Sequence, residues 1–337
     1  MDALSDVLKV ANLTGGVFLH GEFTAPWCVA SQMTLESCRA LLGRVSHAIP
    51  FHYVVEGEFL VSLQGGTPTK LSGGDLVVLP RNDGHLMGTD LALPCVSASD
   101  LMQAGGPGAL MSIHHGGGGS ATRIVCGYLG CDCADSNPVM LALPRILTLK
   151  VAEKGSREWI RSTFQYAASE VANGRPGSAT VLGKLSELLF VEAVRSYVEK
   201  LEEEETGWFA GLRDPLVSRA LALLHQDIAR DWSVDELARE AGCSRSVLAE
   251  RFTRVIGMAP IQYLARWRMH VAAQKLRAES APLGQLAGMI GYNSEAAFSR
   301  AFKKTFGSAP AAWRRGERTE ERSIHRMMGC LLEAGRC

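Results

Sequence analysis

Sulfur and guanidinium groups offer the most chemistry in this chain. Three cysteines, Cys126, Cys131 and Cys133, form C-x4-C-x-C at the end of an apolar run, just before Asp132, Asp135 and Pro138. Thiolates held close together can ligate a soft metal or oxidise to a disulfide. The same pattern arises if Cys126 is a buried strand residue and its neighbours are incidental. Whether Cys28 and Cys95 lie nearby is open, and Cys38, Cys243, Cys330 and Cys337 carry no pattern. A second chemistry is written twice near the C-terminus. Glu236-Leu237-Ala238-Arg239-Glu240-Ala241-Gly242-Cys243-Ser244 is followed by Leu248, Phe252, Gly257 and Pro260. Gln285-Leu286-Ala287-Gly288-Met289-Ile290-Gly291-Tyr292-Asn293-Ser294 is followed by Phe298, Phe302, Gly307 and Pro310. Helical spacing turns Ser246, Ala249, Glu250 and Thr253 to one outward face, and Glu295, Ala296, Ser299, Arg300 and Lys303 to another. Small and polar side chains on such a face let a helix enter the major groove of DNA.

Each copy needs a short helix, a Gly-containing turn and a second helix capped by serine, which is the helix-turn-helix plan. Ser233-Val234-Asp235-Glu236 predicts a capping box, and Ser244 a cap on the next helix. The first outward face is expected to be backed by Val247, Leu248, Phe252, Val255 and Ile256. Ala297, Phe298, Ala301, Phe302 and Phe306 are expected to back the second. Between the copies, residues 261–278 predict one helix about 27 Å long. A strut of that length could hold two reading helices near one DNA turn apart, about 34 Å.

Upstream, residues 1–135 read as β. Runs at 17–19, 51–55, 59–63, 76–79 and 124–126 are separated by turn signals at 65–68 and 72–75, which predicts a small sandwich or barrel. The glycines between 103 and 121 predict a flexible loop. Helices are predicted over 157–173 and 178–205, the second with an apolar face suited to packing or to a dimer. Four glutamates, Glu202 to Glu205, oppose the dipole at its end and place a linker at 203–212. The tail from about 317 is expected to be mobile.

Zero net charge over 337 residues hides a cancellation. Residues 1–205 carry 15 Lys/Arg and 22 Asp/Glu, or −7; residues 206–337 carry 20 and 13, or +7. A basic C-terminal third suits a polyanion. No apolar run is long enough to span a membrane and no signal peptide is evident, so a cytoplasmic protein is expected. Nine cysteines in that compartment point to reduced thiols or a reactive site rather than a disulfide framework.

The stretch Gly291-Tyr292-Asn293-Ser294-Glu295-Ala296-Ala297-Phe298-Ser299-Arg300-Ala301-Phe302-Lys303-Lys304-Thr305-Phe306-Gly307, with Pro310, resembles the signature of the AraC/XylS transcription regulators. The resemblance covers about a hundred residues. It implies that the helices at 244–256 and 294–306 enter successive major grooves of promoter DNA. Ser246, Ala249 and Glu250, with Glu295, Ala296, Ser299 and Arg300, would face bases. Arg300 could donate two bonds to guanine and Glu250 accept from cytosine. Ala249 departs from the long polar side chains usual there, which leaves a thymine methyl as its contact. Arg245, Arg251, Arg254, Lys303 and Lys304 would meet phosphates or stay solvated.

Residues 51–88, with Phe51-His52-Tyr53-Val54-Val55-Glu56-Gly57, Leu71-Ser72-Gly73-Gly74-Asp75 and His85, resemble the cupin barrel, in particular the cupin that precedes this DNA-binding domain. Metal cupins bind through two His, a Glu and a third His. His52, Glu56 and His85 match three of these positions, and Pro50 stands at the first. The resulting expectation is a two-domain α+β protein. Residues 1–202 form a cupin-like sensor and dimerisation domain, with its barrel over about 10–135 and helices over about 157–202. Residues 213–316 form an all-α double helix-turn-helix domain. It is expected to be a homodimeric regulator, an activator or a repressor, that meets promoter DNA and RNA polymerase. It would need no cofactor and would respond to cysteine oxidation or a small effector. The alternative is a metal-dependent cupin enzyme with an appended DNA-binding domain.

Overall fold

The computed structural model describes residues 2–11, 13–32, 47–103, 111–131, 137–150, 177–202, 205–278 and 281–315, with 162 and 166 alone. The predicted helix at 157–173, the tail from 317 and Cys133 therefore lie outside what can be described. The chain divides into two compact units. One is Ala11–Glu203; the other joins Met1–Val10 to Glu204–Cys337.

The chain opens on a helix, α1 (Ala3–Ala11), where strands were expected. Asp2 accepts from the backbone N–H of Ser5 at 2.9 Å, and Ala3, Val7 and Ala11 are buried at helical spacing. Eleven strands follow: β1 (Thr14–Thr24), β2 (Cys28–Ser31), β3 (His47–Glu56), β4 (Glu58–Leu63), β5 (Thr69–Ser72), β6 (Asp75–Val78), β7 (His85–Gly88), β8 (Val96–Ser97), β9 (Met111–Gly116), β10 (Ala121–Cys131) and β11 (Leu147–Lys150). Short helices α2 (Ala98–Leu101) and α3 (Pro138–Ala142) interrupt them. The strands form a six-stranded sheet, β11-β6-β3-β10-β1-β9, and a five-stranded one, β5-β4-β7-β2-β8. This is a sandwich; the expected barrel does not close.

Alternation buries one face of each sheet against the other. Phe23 and Trp27 stack at 4.2 Å, Phe59 lies 5.8 Å from Trp27, and Val54, Leu71 and Ile124 complete the interior. Strand β9 occupies part of the predicted flexible loop. It pairs in parallel with β1, from Leu19 opposite Met111 to Thr24 opposite Gly116. Ile113 anchors it in the core, a signal that the flanking glycines obscured. Helix α4 (Ser178–Lys200) packs on β1, β10 and β11. Its approach requires glycine, because a Cβ on Gly15 would run into the backbone of Gly183.

Nine cysteines do not all stay apart: Cys28 and Cys95 form a disulfide, with their Cα atoms 4.6 Å apart. It joins β2 to the residue preceding β8, and these strands are neighbours in the sheet.

The second unit is helical. Its elements are α5 (Trp208–Arg213), α6 (Pro215–Gln226), α7 (Val234–Ala241), α8 (Arg245–Ile256), α9 (Pro260–Ala278), α10 (Leu283–Met289), α11 (Glu295–Phe306) and α12 (Pro310–Arg314). Helix α5 occupies half of the expected linker, because Trp208 and Phe209 are buried and fold with the unit. Among the described residues, no helix is long and apolar enough to cross a membrane.

Candidate nucleic-acid interface

Each reading helix is placed by its caps. Ser233 and Glu236 form the reciprocal capping box that starts α7. Gly242, at φ 82°, ends α7 in the left-handed conformation, and the side chain of Ser244 accepts from the N–H of Val247 to start α8. In the second copy Gly291, at φ 79°, makes the turn, and Ser294 accepts from Ala297 to start α11. Both reading helices end on a left-handed glycine, Gly257 and Gly307, whose N–H bonds back to Thr253 and Lys303. Leu286 follows Leu237 by 49 residues and Phe302 follows Phe252 by 50, and the extra turn residue, Asn293, accounts for the difference.

Burial then selects the outward faces. Leu248 and Phe252 are fully buried on α8, and Phe298 and Phe302 on α11. Ser246, Glu250, Thr253 and Arg254 are exposed on α8, as are Glu295, Ala296, Arg300, Lys303 and Lys304 on α11; Ala249 and Ser299 are half-buried. Val247 departs from expectation. It was placed with the buried stripe, yet half of its surface is exposed, because Leu248 and Phe252 alone fill the contact beneath.

The basic residues differ in their commitments. Arg251 bonds Asp214 at 2.5 Å, Arg245 approaches Asp235 at 3.2 Å, and Arg254 approaches Glu250 at 4.0 Å. Arg300, Lys303 and Lys304 form no comparable pair among the described residues. One guanidinium ties the two copies together. Arg268, half-buried on α9, donates to the carbonyls of Ile228 and Arg230, both at 2.7 Å, and to that of Gly291 at 3.4 Å. Gly291 must be glycine, since a Cβ there would strike the carbonyl of Ala229. Beneath the first copy, Trp208 donates to the Tyr263 hydroxyl at 2.8 Å, and that hydroxyl lies 2.7 Å from His225 Nε2.

In the sandwich, His52 and His85 come together but Glu56 does not join them. Glu56 is exposed at the end of β3 and is held by Arg123, with Nε at 2.9 Å. His52 Nε2 and His85 Nε2 are 2.8 Å apart. Two ligands of a tetrahedral metal at ~2.1 Å stand roughly 3.4 Å apart, so these nitrogens bond each other rather than flank an ion. The polar chain has one consistent proton arrangement. His85 Nδ1 donates to the Asp83 carbonyl at 3.0 Å, His52 Nε2 donates to His85 Nε2, and the Cys126 thiol donates to His52 Nδ1 at 2.9 Å. Burial holds both imidazoles below their ordinary pKa and pushes the Cys126 thiol up to about 12. Cys131 is buried too, its thiol directed to the Ala11 carbonyl at 3.4 Å. The residues that would hold a metal do not fit one, and no group of three or more His, Cys, Asp or Glu able to do so occurs among the described residues.

A sheet sandwich followed by two helix-turn-helix units joined by a strut defines a DNA-binding regulator with an upstream sheet domain. Known families agree. A model described as "Cupin" matches residues 2–199, and one described as "Helix-turn-helix domain" matches 237–316. The chain is 32% identical to a putative AraC-like transcription regulator of Streptomyces antibioticus, over 79% of this chain and 87% of that one. It is 27% identical to the HTH-type transcriptional regulator AlkR of Acinetobacter baylyi, over 93% and 99%. Among solved structures, the DNA-binding domain of AdpA in complex with a target DNA is 31% identical. That match covers 32% of this chain and 96% of that one, with a TM-score of 0.30. The protein belongs to the AraC-type transcription regulators that carry an N-terminal cupin domain.

Proposed function

We propose that this regulator is a cytoplasmic homodimer that binds promoter DNA through α8 and α11 and engages RNA polymerase, and that its sandwich senses oxidation through Cys28 and Cys95. The observation that carries the sensing step is the bond between Cys28 on β2 and Cys95 just before the neighbouring β8, 67 residues apart in sequence. Cys126 suits that role poorly, because thiolate is the form that oxidants attack and burial pushes its thiol up to about 12; Cys131 is buried away from solvent.

The reaction balances with a peroxide as oxidant. The half-buried Cys95 attacks one peroxide oxygen, giving a sulfenic acid and water. The Cys28 thiol then displaces a second water and closes the S–S bond, so two electrons and two protons leave the thiols. Reduction releases β8 from its covalent tie to β2. The two forms then favour different populations of DNA-competent molecules. Dimer formation draws support from α4, which exposes Val181 and Leu188 on the face opposite its buried Leu182, Leu189 and Ala193.

A second reading, a small effector, rests on an open cleft of about 440 Å³ beside the ends of β1, β9 and β10, with Glu22, His114 and Arg123 on its walls. The sandwich interior is already filled by Trp27, Phe23 and Phe59, which directs an effector to that outer cleft.

The deciding measurement is DNA affinity of the full chain at fixed salt, reduced and peroxide-treated, for the wild type and for Cys28→Ser and Cys95→Ser. A change that dithiothreitol reverses in the wild type, and that both variants lack, is expected. Specific binding indifferent to oxidation removes the cysteine step and leaves the effector reading.

A further inference from the structure

We infer that Val247 is a specificity-determining residue, reading the 5-methyl group of a thymine in the half-site bound by α8. The inference deepens the DNA-binding reading above and rests on it.

The first turns of α8 leave few side chains free to read a base. Arg245 turns to Asp235 at 3.2 Å, and the Ser246 hydroxyl shares a hydrogen bond with Ser244 at 3.2 Å. Leu248 is fully buried and Ala249 half-buried. That leaves Val247, with no polar group to commit, and Glu250, whose only approach is to Arg254 at 4.0 Å among the described residues, as the large exposed side chains of this stretch. They lie three residues apart, about 60° round the helix axis from each other, and so share one face. Val247 is 50% exposed there, a branched apolar side chain among Ser246, Glu250 and Arg254. An apolar group on the face that enters the groove has one apolar partner on a base edge, the thymine methyl. Glu250 beside it offers an acceptor to the cytosine amino group. Together they favour a thymine next to a cytosine. The second copy lacks this device: the matching residue, fifty positions on, is Ala297, which is half-buried.

The test starts by selecting bound sequences from a random DNA pool with the full-length protein. Each thymine of the selected site is then replaced in turn by deoxyuracil, which removes only the methyl group. At one thymine in the α8 half-site, the wild type should lose about four-fold in affinity, the value of burying one methyl group. Val247→Ala should bind thymine and uracil there equally, while keeping wild-type discrimination in the α11 half-site. Its circular dichroism melt should stay close to wild type, because half of the side chain is exposed and Leu248 and Phe252 fill the core beneath. If wild type and variant discriminate thymine from uracil identically at every position, Val247 does not read the methyl. If no sequence is selected at all, the DNA-binding reading itself fails and takes this one with it.

Discussion

The two helix-turn-helix copies share a backbone plan but handle charge in opposite ways. In the first, the arginines of α8 are committed within the protein, to Asp214, Asp235 and Glu250. In the second, Arg300, Lys303 and Lys304 stand exposed on α11 without such pairs among the described residues. A free cation can reach a phosphate or a guanine without first breaking a protein contact. We propose that the second copy supplies affinity and that the first, with Val247 and Glu250 outward, discriminates. Their cores differ as well. Phe302 meets Phe298 at 5.7 Å, Phe306 at 4.7 Å and Trp313 at 5.7 Å, whereas Phe252 has one ring neighbour among the described residues, Tyr263 at 5.9 Å.

The largest expected effects come from those cores. Phe302→Ala should destabilise the helical unit by about 4 kcal/mol and Phe252→Ala by about 3 kcal/mol, read from thermal unfolding followed by circular dichroism. Equal losses would erase the packing contrast. Acid should also act on both copies. His225, against Tyr263 and Trp267, is pushed by burial down to about 3; His270, against Phe306, is pushed down to about 4. Each folded value lies below the ordinary 6.5, so the unfolded chain binds more protons as pH falls. The stabilisation is intact above about pH 6.5 and is lost as pH falls towards 4, at about 1.4 kcal/mol per pH unit for each histidine. Urea midpoints of the helical unit's transition at pH 7 and pH 4.5 measure this, and His270→Gln should roughly halve that unit's drop.

Next in size are the base contacts. Arg300→Ala should weaken specific binding by about 1–3 kcal/mol and relax the preference for guanine at one position. Glu250→Ala should relax a preference for cytosine yet strengthen binding to unrelated DNA, because it removes a negative charge and releases Arg254. If both variants lose affinity to the same extent, the division of labour between the copies is wrong.

Much of this arrangement was legible in the sequence where local rules decide. The caps Ser233, Ser244 and Ser294, the left-handed glycines and the buried Leu248, Phe252, Phe298 and Phe302 all follow from position in a helix. Where tertiary context decides, reading failed. Val247 has the spacing of a core residue, but the partner surface stops short of it. Strand β9 hides between glycine runs, and Ile113, its core anchor, shows no long apolar run. Glu56 sits four residues after His52 and looks like a ligand, but strand alternation ends there and Arg123 takes it. The Cys28–Cys95 bond joins residues 67 apart in sequence, a distance no local pattern spans. Helix α1 was missed although Asp2, Ala3, Val7 and Ala11 signalled it.

The smallest expected effect is the sharpest probe of the charge contrast. Neutralising a residue that contacts a phosphate reduces counterion release, so the slope of log affinity against log salt should become shallower by about 0.9 per contact. Lys303→Ala removes an exposed, uncommitted cation from α11, and its slope should fall by that amount. Arg251→Ala removes a cation already held by Asp214 at 2.5 Å, so its slope should scarcely change. The second variant should instead lower the melting temperature, because Asp214 also caps α6 by accepting from Leu216 and Val217, both at 3.0 Å. Finding the slope change in Arg251→Ala and not in Lys303→Ala would reverse the roles assigned to the two copies. It would mean that DNA competes successfully with Asp214 for the arginine, and that the first copy, despite its internal pairs, supplies the electrostatic grip.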